Sequence, residues 1–288
     1  MAQVVLIPTG RLEHEALAPA LKRLFPDHDF IPRPKEKHLE GFTSTEVTRI
    51  TLGGPIPTNV EELAAELVAS VSPGQRGRPV DFAFVVEDLE LINDHQPGRV
   101  AQLFREAVDR HIHKTWSSQQ AQARAVKLVQ ERCSFHLFRP MTEAYFFGDS
   151  AALRLAGVIQ EPRIPAAPDL ESFQTIDAAF LQLPNSRFDR IVDMPNRQRH
   201  PKSYLHYLCD PTLADRRRRY RETVGGVAAL RQLDWQHVLM LPPHCPFLQA
   251  FLDDLAYALN HSLGFVSQAH AHPFTRFPGG QNRLLRNL

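Results

Sequence analysis

The stretch FVVEDLELIND, residues 84 to 94, sets Glu87, Asp88 and Glu90 directly behind an apolar run that begins at Phe82. Carboxylates are the hard oxygen ligands that Mg²⁺ takes, commonly one or two of them together with water and substrate phosphate. An ion held in this way assists phosphoryl transfer. In an extended chain, residues i and i+2 share a side, so Asp88 and Glu90 can converge while Glu87 faces away. Two further acids, Glu13 and Glu15, follow the apolar run near the start of the chain, and TEAYFFGDSAAL adds Glu143 and Asp149 around Tyr145, Phe146 and Phe147. Acid clusters also simply solvate loops, and adjacent aromatics more often build core than function. The acids make a site only if the fold gathers them at one edge.

The elements that would do so can be read from hydrophobic periodicity. QVVLI (3 to 7) is a strand, and Leu12, Ala16, Leu17, Ala20, Leu21 and Leu24 form one face of a helix. EVTRITL (46 to 52) alternates like a second strand and ends at the breaker GGPIP. Thr58, three residues before Glu61, opens the next helix with a capping-box pattern. DFAFVV (81 to 86) is apolar without alternation, as in a central strand covered on both faces. Pro97 starts a strongly periodic helix, SSQQAQARAVKLVQER a further one, and CSFHLF (133 to 138) is a fourth strand. This alternation predicts an α/β layer of parallel strands with helices on both faces, whose ligand sites lie beyond the carboxyl ends of the strands. Glu87, Asp88 and Glu90 fall at such an end.

From residue 151 the texture is less regular. EPRIPAAPDL is Pro-rich, and 184 to 203 is polar without a clear period. Helices are expected across 202 to 222 and PFLQAFLDDLAYAL, and the final HPFTRFPGGQNRLLRNL reads as a loose tail. There is no Walker loop, Rossmann glycine fingerprint or internal repeat.

With 33 Lys and Arg against 32 Asp and Glu, the formal charge is +1, so any attraction for nucleic acid must come from local patches. RRRRYR supplies one: Arg216, Arg217, Arg218, Arg219 and Arg221 suit phosphate contacts, and Tyr220 suits base stacking. The plainer alternative is a solvated helix face paired with Asp210, Asp215 and Glu222. Lys202 in HPKSY adds a phosphate contact. The start, MAQVVLIPTG, lacks a basic leader, and no run approaches the roughly 18 apolar residues of a membrane span. A cytoplasmic protein without membrane association is expected. Cys133, Cys209 and Cys245 lie far apart without a Cys-x-x-Cys, which points to reduced thiols. His111 and His113, like His270 and His272, lack partners at zinc spacing. Cys245 beside His244 reads as packing rather than a nucleophile.

An acid after strand one, an acidic pair after a central strand, and the segments TEAYFFGDSAAL and HPKSYLHYL together resemble the TOPRIM-like domain. The closer likeness is to small bacterial proteins with a TOPRIM-related fold, often encoded among anti-phage defence genes, and it spans about residues 4 to 260. The resemblance implies a TOPRIM-like α/β domain over 1 to 150 and a mainly helical region over 151 to 288 packed on it. It implies metal-dependent, nuclease-like chemistry with Mg²⁺ or Mn²⁺ on Asp88, Glu90 and Glu13, catalytic work by Glu13 or Glu15 with Asp88, Glu90 and Glu143, and partners among nucleic acid and other defence proteins. The chain departs from the family pattern at Pro8, where an acid would end strand one, and at Asp88-x-Glu90, where Asp-x-Asp is usual. A non-catalytic TOPRIM-shaped subunit or sensor is the alternative, and an enzyme acting on a small phosphorylated metabolite is a third class. If the basic run binds nucleic acid, neutralising Arg216 to Arg219 lowers affinity and flattens the salt dependence measured by fluorescence anisotropy, because each lost phosphate contact removes released counterions. An unchanged salt slope returns the run to a solvated face.

Overall fold

The computed structural model describes residues 1–74, 78–187, 196–265 and 283–288. Four parallel strands form one sheet: β1 (Gln3–Pro8), β2 (Asp29–Pro32), β3 (Phe82–Asp88) and β4 (Cys133–Phe138), in the order β2-β1-β3-β4. Helices α1 (Arg11–Leu24), α2 (Thr58–Val71), α3 (Pro97–Thr115) and α4 (Gln119–Arg132) connect them. Strand side chains alternate between two cores. Val4, Leu6, Phe84, Val86 and Phe138 face α1 and the second half of the chain, whereas Val5, Ile7, Ala83, Val85, Phe135 and Leu137 face α2, α3 and α4. A sheet covered on both faces explains why β3 reads as a continuous apolar run.

After β1 the chain pairs β2 on one side of that strand and β3 on the other. The strand order therefore reverses between β1 and β3, and in open parallel sheets this is where a crevice opens beyond the carboxyl ends. The β1 to α1 turn and the last residue of β3, Asp88, border it.

The second strand is not EVTRITL. Val47–Arg49 is a short 3-10 turn, and its backbone is held by side-chain bonds instead of a ladder. Asn93 Oδ1 accepts from the Val47 amide at 2.8 Å, and Asn93 Nδ2 donates to the carbonyls of Thr43 (2.6 Å) and Thr45 (2.9 Å). The strand that pairs with β1 is DFIP, four residues ending in a proline, which an edge position tolerates. The capping box also fails to form, because α2 begins at Thr58 itself and leaves its hydroxyl inside the helix.

The second half contributes α5 (Glu143–Phe146), α6 (Ser150–Leu155), α7 (Ala178–Leu181), α8 (Pro201–Cys209), α9 (Val227–Gln232), α10 (Trp235–Met240) and α11 (Pro246–Ala258). The helix expected across 202 to 222 ends at Cys209. Asp210 turns the chain there, its carboxylate accepting the Thr212 hydroxyl at 2.7 Å and the Asp215 amide at 2.9 Å, and Pro211 cannot continue a helix. Among the described residues no helix is long and apolar enough to cross a membrane. Most of the expected loose tail lies outside the described residues, but its end is docked. Leu284, Leu285 and Leu288 are buried, the Arg286 amide donates to the Cys133 carbonyl at 2.8 Å, and Asn287 bonds both the amide (3.1 Å) and the carbonyl (2.5 Å) of Phe135. Those bonds satisfy the outer edge of β4. Asn287→Ala leaves two buried backbone groups unpaired and is expected to cost about 1–3 kcal/mol in denaturant unfolding; an unchanged midpoint would show the edge to be satisfied otherwise.

Candidate functional site

Glu13, Asp88 and Glu143 come from the ends of β1, β3 and β4, and each is an electrostatic neighbour of the others at the carboxyl edge of the sheet. Glu13 lies in the first turn of α1 and is buried. Its carboxyl folds back over Gly10, where an added Cβ would stand 1.9 Å from Oε2, so an alanine there would displace the carboxyl group. Asp88 closes β3, and its Oδ1 accepts from the Thr142 amide at 3.0 Å and the Thr142 hydroxyl at 3.2 Å. The Thr142 side chain also bonds Glu13. Glu143 opens α5, 2% exposed, and its Oε1 accepts from the Tyr220 hydroxyl at 3.3 Å.

Among the described residues, a cation from the protein itself enters this pocket. Lys202, near the start of α8, lies 3.7 Å from Glu143 Oε1 and forms a closer ion pair with Glu222. Glu222 begins a π-helical turn, Glu222–Gly226, that runs into α9. The lysine was expected on a phosphate; instead it lies among acids. Burial disfavours its charge, but Glu143 and Glu222 outweigh that and raise its pKa.

Negative charge is nevertheless in excess. Burial first, then the charge of Glu143, lifts Glu13 to about 7. Asp88 is raised well above its ordinary value by burial and by Glu13, Glu143 and Glu90. Glu143 is raised by burial, with Lys202 pulling the other way. Among the described residues, no three of His, Cys, Asp and Glu lie close enough together to hold a metal ion as they stand.

The remaining expected residues divide. Glu90 stays near Asp88, on a backbone with φ of 60°, a conformation uncommon for any residue but glycine. Glu15 does not join; it pairs with Arg11 at 2.7 Å on the outer face of α1, two residues around the helix from Glu13. Glu87 faces away as the strand period requires, into a buried turn, where its Oε1 accepts from the Phe42 amide (3.0 Å), the Thr43 amide (3.2 Å) and the Thr43 hydroxyl (2.6 Å). Tyr145, Phe146 and Phe147 are core, and Asp149 caps α6 through the Ala151 amide.

The basic run is a turn rather than a helix. Arg216, Arg217, Arg218 and Arg221 are exposed and Arg219 is half-buried; Arg218 reaches Asp215 at 3.6 Å. Tyr220 is buried against the site with its hydroxyl on Glu143, so it offers no ring face to a base, and that expectation is corrected. Tyr220 and Glu222 instead tie the end of the arginine turn to the acidic pocket.

All three cysteines are buried, with thiol pKa values pushed up by burial, Cys209 to about 12. His270 and His272 lie outside the described residues. A separate cleft of about 660 Å³ is lined by Arg105, Glu106, Asp109 and Arg110 of α3, among others. Comparison with family models, curated proteins and solved structures gives no match. What defines the class is therefore the fold and the pocket: a parallel α/β protein with a buried acidic cluster at its topological switch point.

A second carboxyl, Glu171, is lifted to about 7 mainly by burial, although it accepts the Phe247 and Leu248 amides at the start of α11. For Glu13 and Glu171 the folded value lies above the ordinary 4.5. The folded chain therefore holds extra protons between about pH 4.5 and 7, and their stabilising contribution is fully present below that window and lost as pH rises through it. Melting temperature without divalent ions is expected to fall between about pH 5 and 8, and Glu13→Gln or Glu171→Gln to flatten the slope. A wild-type curve that rises across that range would contradict these raised values.

Proposed function

We propose that this chain is a metal-dependent phosphoryl-transfer protein with a TOPRIM-like layout, a nuclease-like component of a bacterial anti-phage defence system. The observation that carries the reading is the convergence of Glu13, Asp88 and Glu143 at the switch point, where Glu143 raises the pKa of Glu13 and both raise that of Asp88. In this pocket the carboxyl groups outnumber the one ammonium group that meets them, that of Lys202. Its donors are all carboxylate oxygens, which suit Mg²⁺ or Mn²⁺, and Asp88 with Glu143, Glu13 and Glu90 would hold the ion. A bound divalent ion would neutralise phosphoryl charge and lower the pKa of water. The chain's own groups do the rest. Glu13, buried at the same edge, would complete the ion's shell or take a proton from an attacking water. Thr142 orients Asp88. The exposed arginines, tied to the pocket through Tyr220 and Glu222, offer phosphate contacts beside it. The defence setting and its partner proteins come from the sequence resemblance.

A second reading, a non-catalytic TOPRIM-shaped subunit or sensor, draws support from Lys202, whose ammonium group already partly balances the pocket. Asp88→Asn separates the two. It keeps an acceptor for Thr142 while removing a charge, so in the catalytic reading it abolishes the Mn²⁺-induced rise in melting temperature and any Mn²⁺-dependent cleavage of DNA or RNA, with metal-free stability equal or slightly raised. Wild-type protein that neither binds Mn²⁺ nor cleaves leaves the sensor reading.

A further inference from the structure

Lys202 is a cation already in contact with the acidic cluster, through Glu143 and Glu222. It projects from the first turn of α8, its side chain 36% exposed, so it has a route to solvent. Its two carboxylate contacts are unequal: the pair with Glu222 is close, whereas the Glu143 oxygen is 3.7 Å away. Glu222 is itself 29% exposed, and Glu143 is almost wholly enclosed. The ammonium group is thus anchored at the rim by Glu222 and leans inward on Glu143. Lys has a flexible four-carbon stem and a compact charge, so it can give up the longer contact while keeping the shorter one. Glu143 is held by Lys202 on one side and by the Tyr220 hydroxyl, which donates to the same Oε1, on the other.

Resting on the metal-site reading above, we infer that Lys202 is the exchangeable counter-cation of the acidic pocket: its ammonium group and a divalent ion compete for Glu143, and metal loads as Lys202 retreats onto Glu222. The physical reason is charge balance. Buried carboxylates need a compensating cation, and one ammonium leaves this pocket under-compensated. Loading replaces a single charge by a double one without emptying the rim, because Glu222 keeps the lysine. Metal affinity is then set by an exchange between two cations rather than by simple filling, and the free chain binds metal weakly.

The test is Mn²⁺ binding by calorimetry near neutral pH on the full chain and on Lys202→Met, Lys202→Gln and Lys202→Arg. Competition predicts that the two neutral variants bind Mn²⁺ at least about tenfold tighter than wild type, while the charge-conserving arginine variant binds no tighter. Without metal, Lys202→Met is expected to melt lower than wild type, the gap closing as Mn²⁺ is added. Lys202→Gln retains hydrogen-bond donors for Glu143 and Glu222, so it answers the question should the methionine variant fail to fold. Neutral variants that bind Mn²⁺ equally or more weakly than a wild type that does bind it overturn the competition and leave the metal site standing. Absence of binding in wild type and in both neutral variants overturns the metal site and the competition with it.

Discussion

Like charges buried together are the constraint on which this molecule turns. The strand order reverses between β1 and β3, and at that edge the chain places Glu13 and Glu143, both buried, beside the half-buried Asp88. Carboxyls so placed must take up protons, draw in a cation, or spread apart. Here the first two responses are visible. The pKa values rise, and Lys202 crosses from α8 to meet Glu143 and Glu222. Neither stabilises the fold as well as apolar packing would, since a buried ion pair rarely exceeds its own desolvation cost.

The loops around the crevice are secured by other buried polar groups, each with a structural task. Asp94 holds Arg139 and Arg199 at once; its burial alone would raise its pKa, but the two guanidinium groups lower it. This ties the segment after β4 to the turn before α8. Asp254 of α11 gathers His136 (3.2 Å), Arg286 (2.9 Å) and Ser134, and those partners override burial to depress its pKa. The second half of the chain is thereby bound to β4. Glu171 caps α11 and also takes the Tyr145 hydroxyl at 3.2 Å, joining that helix to the segment that carries Glu143.

Much of this was legible in the sequence because periodicity reports burial. β3 and β4 announce themselves as apolar runs, and Asp88 follows from the first of them. Choosing between Glu13 and Glu15 was beyond it, since acids two apart at a helix start point to different sides and only the packing of α1 selects Glu13. β2 was hidden because a four-residue edge strand ending in proline carries almost no pattern, while EVTRITL has the pattern without a neighbour to pair with. Lys202 and Glu222 meet across the end of α8 and an irregular turn, a contact that no sequence period encodes. Tyr220 was misread for the same reason: its neighbours are charged, but its ring packs inward.

The central claim is that the crevice between β1 and β3 is a divalent-cation site from which Lys202 withdraws. A crystal structure soaked in Mn²⁺, with anomalous data, tests it directly. The account predicts an anomalous peak bounded by Asp88 and Glu143, with Glu13 or Glu90 nearby and Lys202 moved off Glu143 onto Glu222. An undisturbed Lys202 contact with Glu143, and no manganese at this edge of the sheet, would contradict it.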